Sequence, residues 1–479
     1  MRTQRTKLAA AVALSVSLAL VGCRGSDDDD ADVAPPAETD APEATETTEA
    51  GATTETSEAA GNTAATGDTA ATTAEPGTTA AGGGTAPEVD CPEEEQGLTD
   101  TEMVLGGTYP LSGPVAAYAA VPVGIKAWFD KLNAEEGGIT AGDGVTREVR
   151  WNYLDDQYSP PATLENVRRL VEADGSWLVL NPLGTPSNTA IRDYMNEAEV
   201  PQLYVATGAA TWGRDIEEYP WTIGYHPDYE SEGIAYAQYA LSENPDATVA
   251  ILYANDDFGK DYLTGIREGM GDAADQIVAE VTYETTDATV DSQVAQALES
   301  DPDVFMLIAT PQFAIQGINQ TQALGYEGTK ILTSVSSSVG AVIANTNEGA
   351  AEGWVTSVYL KDPTDPAYDD DAGMVKYQET LAEYAPDANP DDALHLYGMS
   401  VAQLFQHTLE SMPTVCREAV MEAAKNLSWA EPPLLLPGIG IETGDGDGFP
   451  VQQVQLQRWE GDGYVRFGDV IDASDINAD

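Results

Sequence analysis

The sequence predicts an α/β protein built as two doubly wound lobes joined by a hinge that the chain crosses more than once. Short β-rich runs alternate with longer amphipathic stretches, the pattern of parallel sheets with crossover helices. The rhythm pauses near residues 221–228 and then begins again, which predicts a second lobe of similar build. About 380 residues follow a polar N-terminal region, enough for two domains of ordinary size.

The N-terminus reads as an address. Arg2, Arg5 and Lys7 precede an apolar run from Leu8 to Val21, too short to span a bilayer, which takes about 20 apolar residues. Residues 1–22 therefore have the shape of a secretory signal. Leu20-Val21-Gly22-Cys23 resembles the bacterial lipoprotein box, which implies that Cys23 is lipidated and becomes the first residue of the mature chain. Residues 23–96 are Ala, Thr, Glu, Asp, Gly and Pro with almost no large apolar side chain. Such a segment cannot bury enough surface to offset chain entropy and is predicted to be a disordered, self-repelling stalk. Asp27-Asp28-Asp29-Asp30 reads as a solvated charge run rather than a metal site.

A formal net charge of −60 and a pI near 4.1 argue against nucleic acid or an anionic membrane surface as direct partners. Membrane contact is expected only through the lipid. Besides Cys23 the chain has Cys91 and Cys416, and two remaining cysteines in an extracellular chain are candidates for pairing. A Cys91–Cys416 disulfide would pin the end of the stalk to the globular body.

The first lobe opens with Val104-Leu105-Gly106-Gly107-Thr108-Tyr109 as a strand, which Pro110 ends. Ser112-Gly113-Pro114 then sets up a helix predicted over 115–133. Strands follow at 148–153, 177–180 and 202–205, with a helix from Ser159-Pro160 to 171. After the pause come a helix at 229–241, a strand at 248–253, a helix from Gly259, and strands at 277–283, 304–309 and 330–333. Strand structure restarts at 353–360, helices are predicted at 372–384, 391–411 and 415–427, and 451–459 with 464–470 form a closing hairpin around Glu460-Gly461-Asp462-Gly463. The lobes are expected at 97–224 with 352–428, and at 225–351 with 429–479. Two such lobes make a cleft that closes by hinge motion.

Leu111-Ser112-Gly113-Pro114 with Tyr118, Trp151-Asn152-Tyr153-Leu154-Asp155-Asp156, Asn255-Asp256-Asp257-Phe258-Gly259 and residues 394–402 together resemble the leucine/isoleucine/valine-binding protein family. The resemblance covers roughly residues 98–472. It implies the type I periplasmic binding protein-like architecture of two Rossmann-like lobes, three crossovers and a small-molecule ligand in the interlobe cleft. It also implies a monomer that docks its closed form onto the membrane permease of an ABC importer, with no cofactor. The ligand it implies is a branched-chain type amino acid or a related carboxylate.

Leu183-Gly184-Thr185-Pro186-Ser187-Asn188 has a threonine at the expected N-cap and proline at the first helical position, leaving main-chain N–H groups and the helix dipole as an anion site. It aligns with the segment that holds the ligand carboxylate in the family, which points to Gly184 and Thr185. Ala206-Thr207-Gly208-Ala209 aligns with the second carboxylate-and-ammonium loop, which adds Thr207 and Gly208. Tyr118 and Phe258 would wall the pocket from either lobe, and Thr310 and Ser336 stand where the second lobe approaches. The sequence departs from the family's amino-acid binders here. Leu332-Thr333-Ser334-Val335-Ser336-Ser337-Ser338 offers hydroxyls and no acid to pair a ligand ammonium, whose burial without a counter-charge would be costly, so a carboxylate, amide or polyol-like solute is the alternative to a leucine-type amino acid.

Enzyme readings find little support. Gly398-Met399-Ser400-Val401-Ala402 is a near miss to a nucleophile elbow, inside a helical pattern. His226, His395 and His407 have no metal-ligand spacing with one another or with cysteine. Phosphate loops are absent, and residues 444–448 lack the remaining ligands of a calcium loop. A ligand-sensing receptor subunit with the same lobes is the alternative to transport.

Overall fold

The computed structural model describes residues 89–444 and 446–472. The signal segment, Cys23 and the stalk up to residue 88 lie outside them. The first lobe runs β1 (Glu102–Tyr109), α1 (Ala120–Glu136), β2 (Ile139–Thr140), β3 (Thr146–Asp155), α2 (Pro160–Arg168), β4 (Leu178–Leu180), α3 (Thr185–Glu197), β5 (Gln202–Val205), α4 (Thr211–Arg214) and β6 (Thr222–Gly224). Its sheet has the order β2-β3-β1-β4-β5-β6, parallel except for β2 against β3. β1 and β4 are buried almost throughout, as helix-covered parallel strands must be.

The chain then crosses at 225–228 into α5 (Tyr229–Glu243), β7 (Val249–Ala254), α6 (Asp257–Met270), β8 (Ile277–Tyr283), α7 (Asp291–Leu298), β9 (Val304–Ile308), α8 (Pro311–Ala323), β10 (Thr329–Leu332) and β11 (Trp354–Val358). It returns to the first lobe for α9 (Ala372–Tyr384), α10 (Ala393–Ser411), α11 (Arg417–Ala424) and a small ribbon of β12 (Ser428–Trp429) and β13 (Ile441–Glu442). It ends in the hairpin β14 (Gln453–Glu460) and β15 (Gly463–Asp472). The second sheet has the order β15-β14-β11-β10-β9-β7-β8. Each lobe has its own large apolar core.

Three boundaries differ from expectation. β11 pairs in parallel with β10 (Ile331 against Val355) and antiparallel with β14, so the chain crosses back after Val358 rather than at 352. Periodicity reports a strand but not the sheet it joins. Leu434, Leu435, Leu436, Ile439 and Val451 bury into the first lobe's core, so the last crossing falls at β14 rather than at 429. The globular body also begins before residue 97. Val89 packs against the first core, Cys91 is bonded to Cys416 with Cα atoms 5.8 Å apart, and Glu95 accepts from the Arg417 N–H and Trp177 Nε1.

Glycine close approaches set the first lobe's helix packing. A Cβ at Gly124 of α1 would lie 2.0 Å from His395 O, and one at Gly398 of α10 would lie 2.0 Å from Val121 O. Gly398 is therefore a packing residue. Ser400 is buried, bonded to Tyr397 O and Tyr225 Oη. The opening corner also differs in detail. Ser112 Oγ bonds Asp155 at the end of β3 instead of capping a helix, and α1 starts only at Ala120 after one 3-10 turn.

Candidate functional site

The loops after the parallel strands of both sheets face one cleft, where open α/β sheets place their ligands. The cleft encloses about 120 Å³, somewhat less than the roughly 150 Å³ of a cavity that takes up benzene.

On the first lobe, Tyr118 follows β1, Leu183-Gly184-Thr185 follow β4, and Ala206 follows β5; Tyr158, Ala393, Leu394 and Tyr397 complete this wall. The helix start is shifted by one residue from expectation. Gly184 is the N-cap, Thr185 is the first helical residue and Pro186 the second. Gly184 has φ +100°, and a Cβ there would meet the Tyr158 ring at 2.4 Å, so glycine is required both for the backbone and for the space. Pro186 supplies no N–H, leaving Thr185 and Ser187 as the main-chain donors of the first turn. Thr185 Oγ1 lies 2.5 Å from Thr207 Oγ1. Ser187 is fully buried, and its hydroxyl has no hydrogen-bond partner.

Tyr229, Phe258, Thr310, Ser334, Val335 and Ser338 face them from the second lobe. Phe258 sits edge-on to Tyr229 at 5.1 Å and to Tyr262 at 5.6 Å. Thr310 N–H donates to Tyr283 Oη at 3.0 Å. The crossings contribute His226, Ser357, Tyr359, Lys361 and Asp362. His226 lies against Tyr229 and Tyr397, with centroids 5.7 and 5.8 Å away. Burial lowers its pKa to about 4, so at neutral pH it is an uncharged wall.

Neither charged lining residue is free. Lys361 Nζ is 2.8 Å from Asp371 and donates to Pro433 O. Asp362 accepts from the N–H and hydroxyl of Thr364, and burial raises its pKa. The lobes touch through Tyr118 Oη with Val335 O, Ala210 N–H with Asp261, Gly340 N–H with Asp391 O, and Ser338 Oγ with Asp392.

Five of the expected residues line the cleft together: Tyr118, Gly184, Thr185, Phe258 and Thr310. Three stand behind it. Thr207 supports Thr185 through the hydroxyl contact. Gly208 is a close-approach glycine, whose Cβ would lie 2.2 Å from Pro227 O at the first crossing. Ser336 is fully buried and donates to Ala309 O, because the turn after β10 points its hydroxyl back to β9. The sequence reading missed Tyr158, Tyr229, Tyr359 and Tyr397. Only Tyr229 carried a local signal, as the first helical residue after the pause.

The reading also missed Glu232. This side chain of α5 is 1% exposed and sits one hydroxyl behind the cleft. Its carboxylate accepts from Tyr236 Oη (3.0 Å), Tyr262 Oη (2.9 Å), Ser357 Oγ (2.7 Å) and Ser334 Oγ (2.8 Å). Burial raises its pKa and the four hydroxyls oppose that shift. The second lobe therefore holds an acid, although the turn after β10 has none.

A family model described as periplasmic binding protein matches residues 102–464. Among solved structures, a possible leucine/isoleucine/valine-binding protein from Rhodopirellula baltica SH 1 superposes with a TM-score of 0.66 at 18% identity, covering 77% of this chain and 97% of that one. A branched-chain amino acid ABC transporter protein from Thermus thermophilus with bound valine gives 0.65 at 16%, covering 78% and 96%. A solute-binding protein of an ABC transporter from R. palustris, in complex with benzoate, gives 0.64 at 17%, covering 77% and 96%.

Proposed function

Since the chain belongs to the periplasmic binding protein family, we propose that it is the lipid-anchored, extracytoplasmic solute-binding protein of an ABC importer, taking a small carboxylate with a compact apolar or aromatic body. The observation that carries the ligand class is one geometry. The Gly184-Thr185 helix start, with its dipole, faces a cleft of tyrosine and phenylalanine rings in which Lys361, the one cation among the described lining residues, is paired with Asp371. The relatives named above support the range, since one holds valine and another benzoate. The lobes close on the ligand, and the closed form is what a permease would receive. Cys23, in its lipoprotein-box context, would tether the chain at the membrane surface. Among the described residues no helix is long and apolar enough to cross a membrane.

A thermal-shift screen of the soluble chain against amino acids, aliphatic and aromatic carboxylates, amides, polyols and sugars tests this. Ligand at a hundred times its dissociation constant adds about 2.7 kcal/mol of stability. Carboxylates are expected to raise the melting temperature, and Thr185→Ala to weaken them by about 1–3 kcal/mol in calorimetry. A screen in which only uncharged solutes act would overturn the ligand class.

A further inference from the structure

Hydroxyl protons on the second lobe carry one more step, which rests on the carboxylate reading above. A serine hydroxyl has one proton to donate and lone pairs with which to accept. Ser334 and Ser357 both line the cleft, and both direct that proton to Glu232, at 2.8 and 2.7 Å. Tyr236 and Tyr262 do the same from behind. Thr333 Oγ1 in turn donates to Tyr262 Oη, and the Ser357 N–H donates to Tyr236 Oη. The groups bonded to Glu232 are all hydroxyls able to donate, which opposes the rise in its pKa that burial imposes. The two serines thus have no proton left for a ligand and offer the cleft only acceptor lone pairs, polarised by the carboxylate behind them.

We propose that Glu232 is a positioning residue for specificity: by fixing the proton orientation of Ser334 and Ser357, it makes the second-lobe wall select a carboxylate that carries a hydrogen-bond donor (hydroxyl, N–H or ammonium) on the part facing that wall. A ligand with only acceptors there would set lone pair against lone pair and leave its own polar group unpaired, which a buried site penalises. The acid that an ammonium lacks in the turn after β10 stands here, one hydroxyl removed.

Matched pairs read this out by calorimetry on the full chain: each hydroxybenzoate isomer against its methyl ether, and valine against 3-methylbutyrate. In at least one pair the donor-bearing member is expected to bind about tenfold more tightly or better. Ser334→Ala with Ser357→Ala is expected to bring that ratio to within about twofold of one by weakening the donor-bearing member far more than its partner. A merely structural role would weaken both members alike. Glu232→Gln, if it folds, is expected to shrink the same ratio. Equal binding of donor and non-donor in every pair of the wild type, or a ratio that survives in the double serine variant, overturns the inference while leaving the carboxylate reading intact. Failure of every carboxylate to bind overturns both.

Discussion

On the first lobe, the cleft meets a helix start at Gly184-Thr185, with the helix dipole behind it. Facing it, Ser334 on the second lobe and Ser357 at the crossing turn their hydroxyl protons away from the cleft into a buried carboxylate. One wall is built to donate and the other to accept. The donating wall follows from local backbone geometry. The accepting wall is made by packing, because it exists only where α5, α6, β11 and the turn after β10 converge on Glu232. The lobes also differ in how they are held. The first is stapled by Cys91–Cys416 and by Glu95 to Arg417, while among the described residues the second carries no covalent link.

The largest way to break this contrast is to remove the carboxylate. Glu232→Leu leaves four hydroxyls without their acceptor, and at about 1 kcal/mol each the expected loss is about 4 kcal/mol in denaturant unfolding. A loss under about 1 kcal/mol would mean that the hydroxyls re-pair freely and the wall is not set by Glu232. Removing the staple comes next. Cys91→Ser is expected to cost about 3 kcal/mol, the usual contribution of a native disulfide. Equal melting temperatures with and without reductant would contradict that.

Gly184→Ala sharpens the donating wall. A side chain at φ +100° and 2.4 Å from Tyr158 should cost about 1–2 kcal/mol of stability. It should also lower carboxylate affinity, because the helix start is re-aimed; calorimetry that shows unchanged affinity would place the anion elsewhere.

The smallest effect is the proton dependence of the lobe contact. Asp261 of α6 accepts the Ala210 N–H across the lobes. Burial first, and then the carboxylates of Glu230, Asp228 and Asp257, raise its pKa from 3.8 to about 7, against the hydrogen bond from Ala210. Arg214 is paired with Asp228 and Glu230 close by. Between about pH 4 and 7 the folded chain holds a proton that the unfolded chain has released, so this group's contribution to stability falls as pH rises through that window. His226 acts oppositely. Neutral when folded down to about pH 4, it lowers stability as pH drops from about 6.5, where the unfolded residue takes up its proton. Asp261→Asn should flatten the first dependence, read as the difference in melting temperature from wild type between pH 5 and 8; an unchanged difference would remove Asp261 from the contact.

Much of the fold was legible because strand and helix periods are local. The corner Gly184-Thr185-Pro186 was legible to within one residue for the same reason, since a threonine followed by proline announces a helix start wherever the chain goes. Tyr359 and Tyr397 were not, because a tyrosine in a strand-rich or helical pattern reads as core until a second lobe leaves one side of it open. Ser336 and Ser334 are two residues apart in one hydroxyl-rich run, and only the fold decides that Ser334 lines the cleft while Ser336 bonds Ala309 O.

By itself the sequence determined the alternation of strands and helices, the restart that makes a second lobe, the acidic and cysteine-poor composition, and the corner that favours an anion. These are properties of neighbours in the chain, fixed by backbone sterics and side-chain period. The tertiary structure alone decided which sheet receives β11 and which acid lies inside. Glu230 and Glu232 are indistinguishable by composition on the first turn of one helix. The first is paired with Arg214, and the second is enclosed by hydroxyls from three other segments. Burial depends on what the rest of the chain brings to a side chain, and no local pattern contains that.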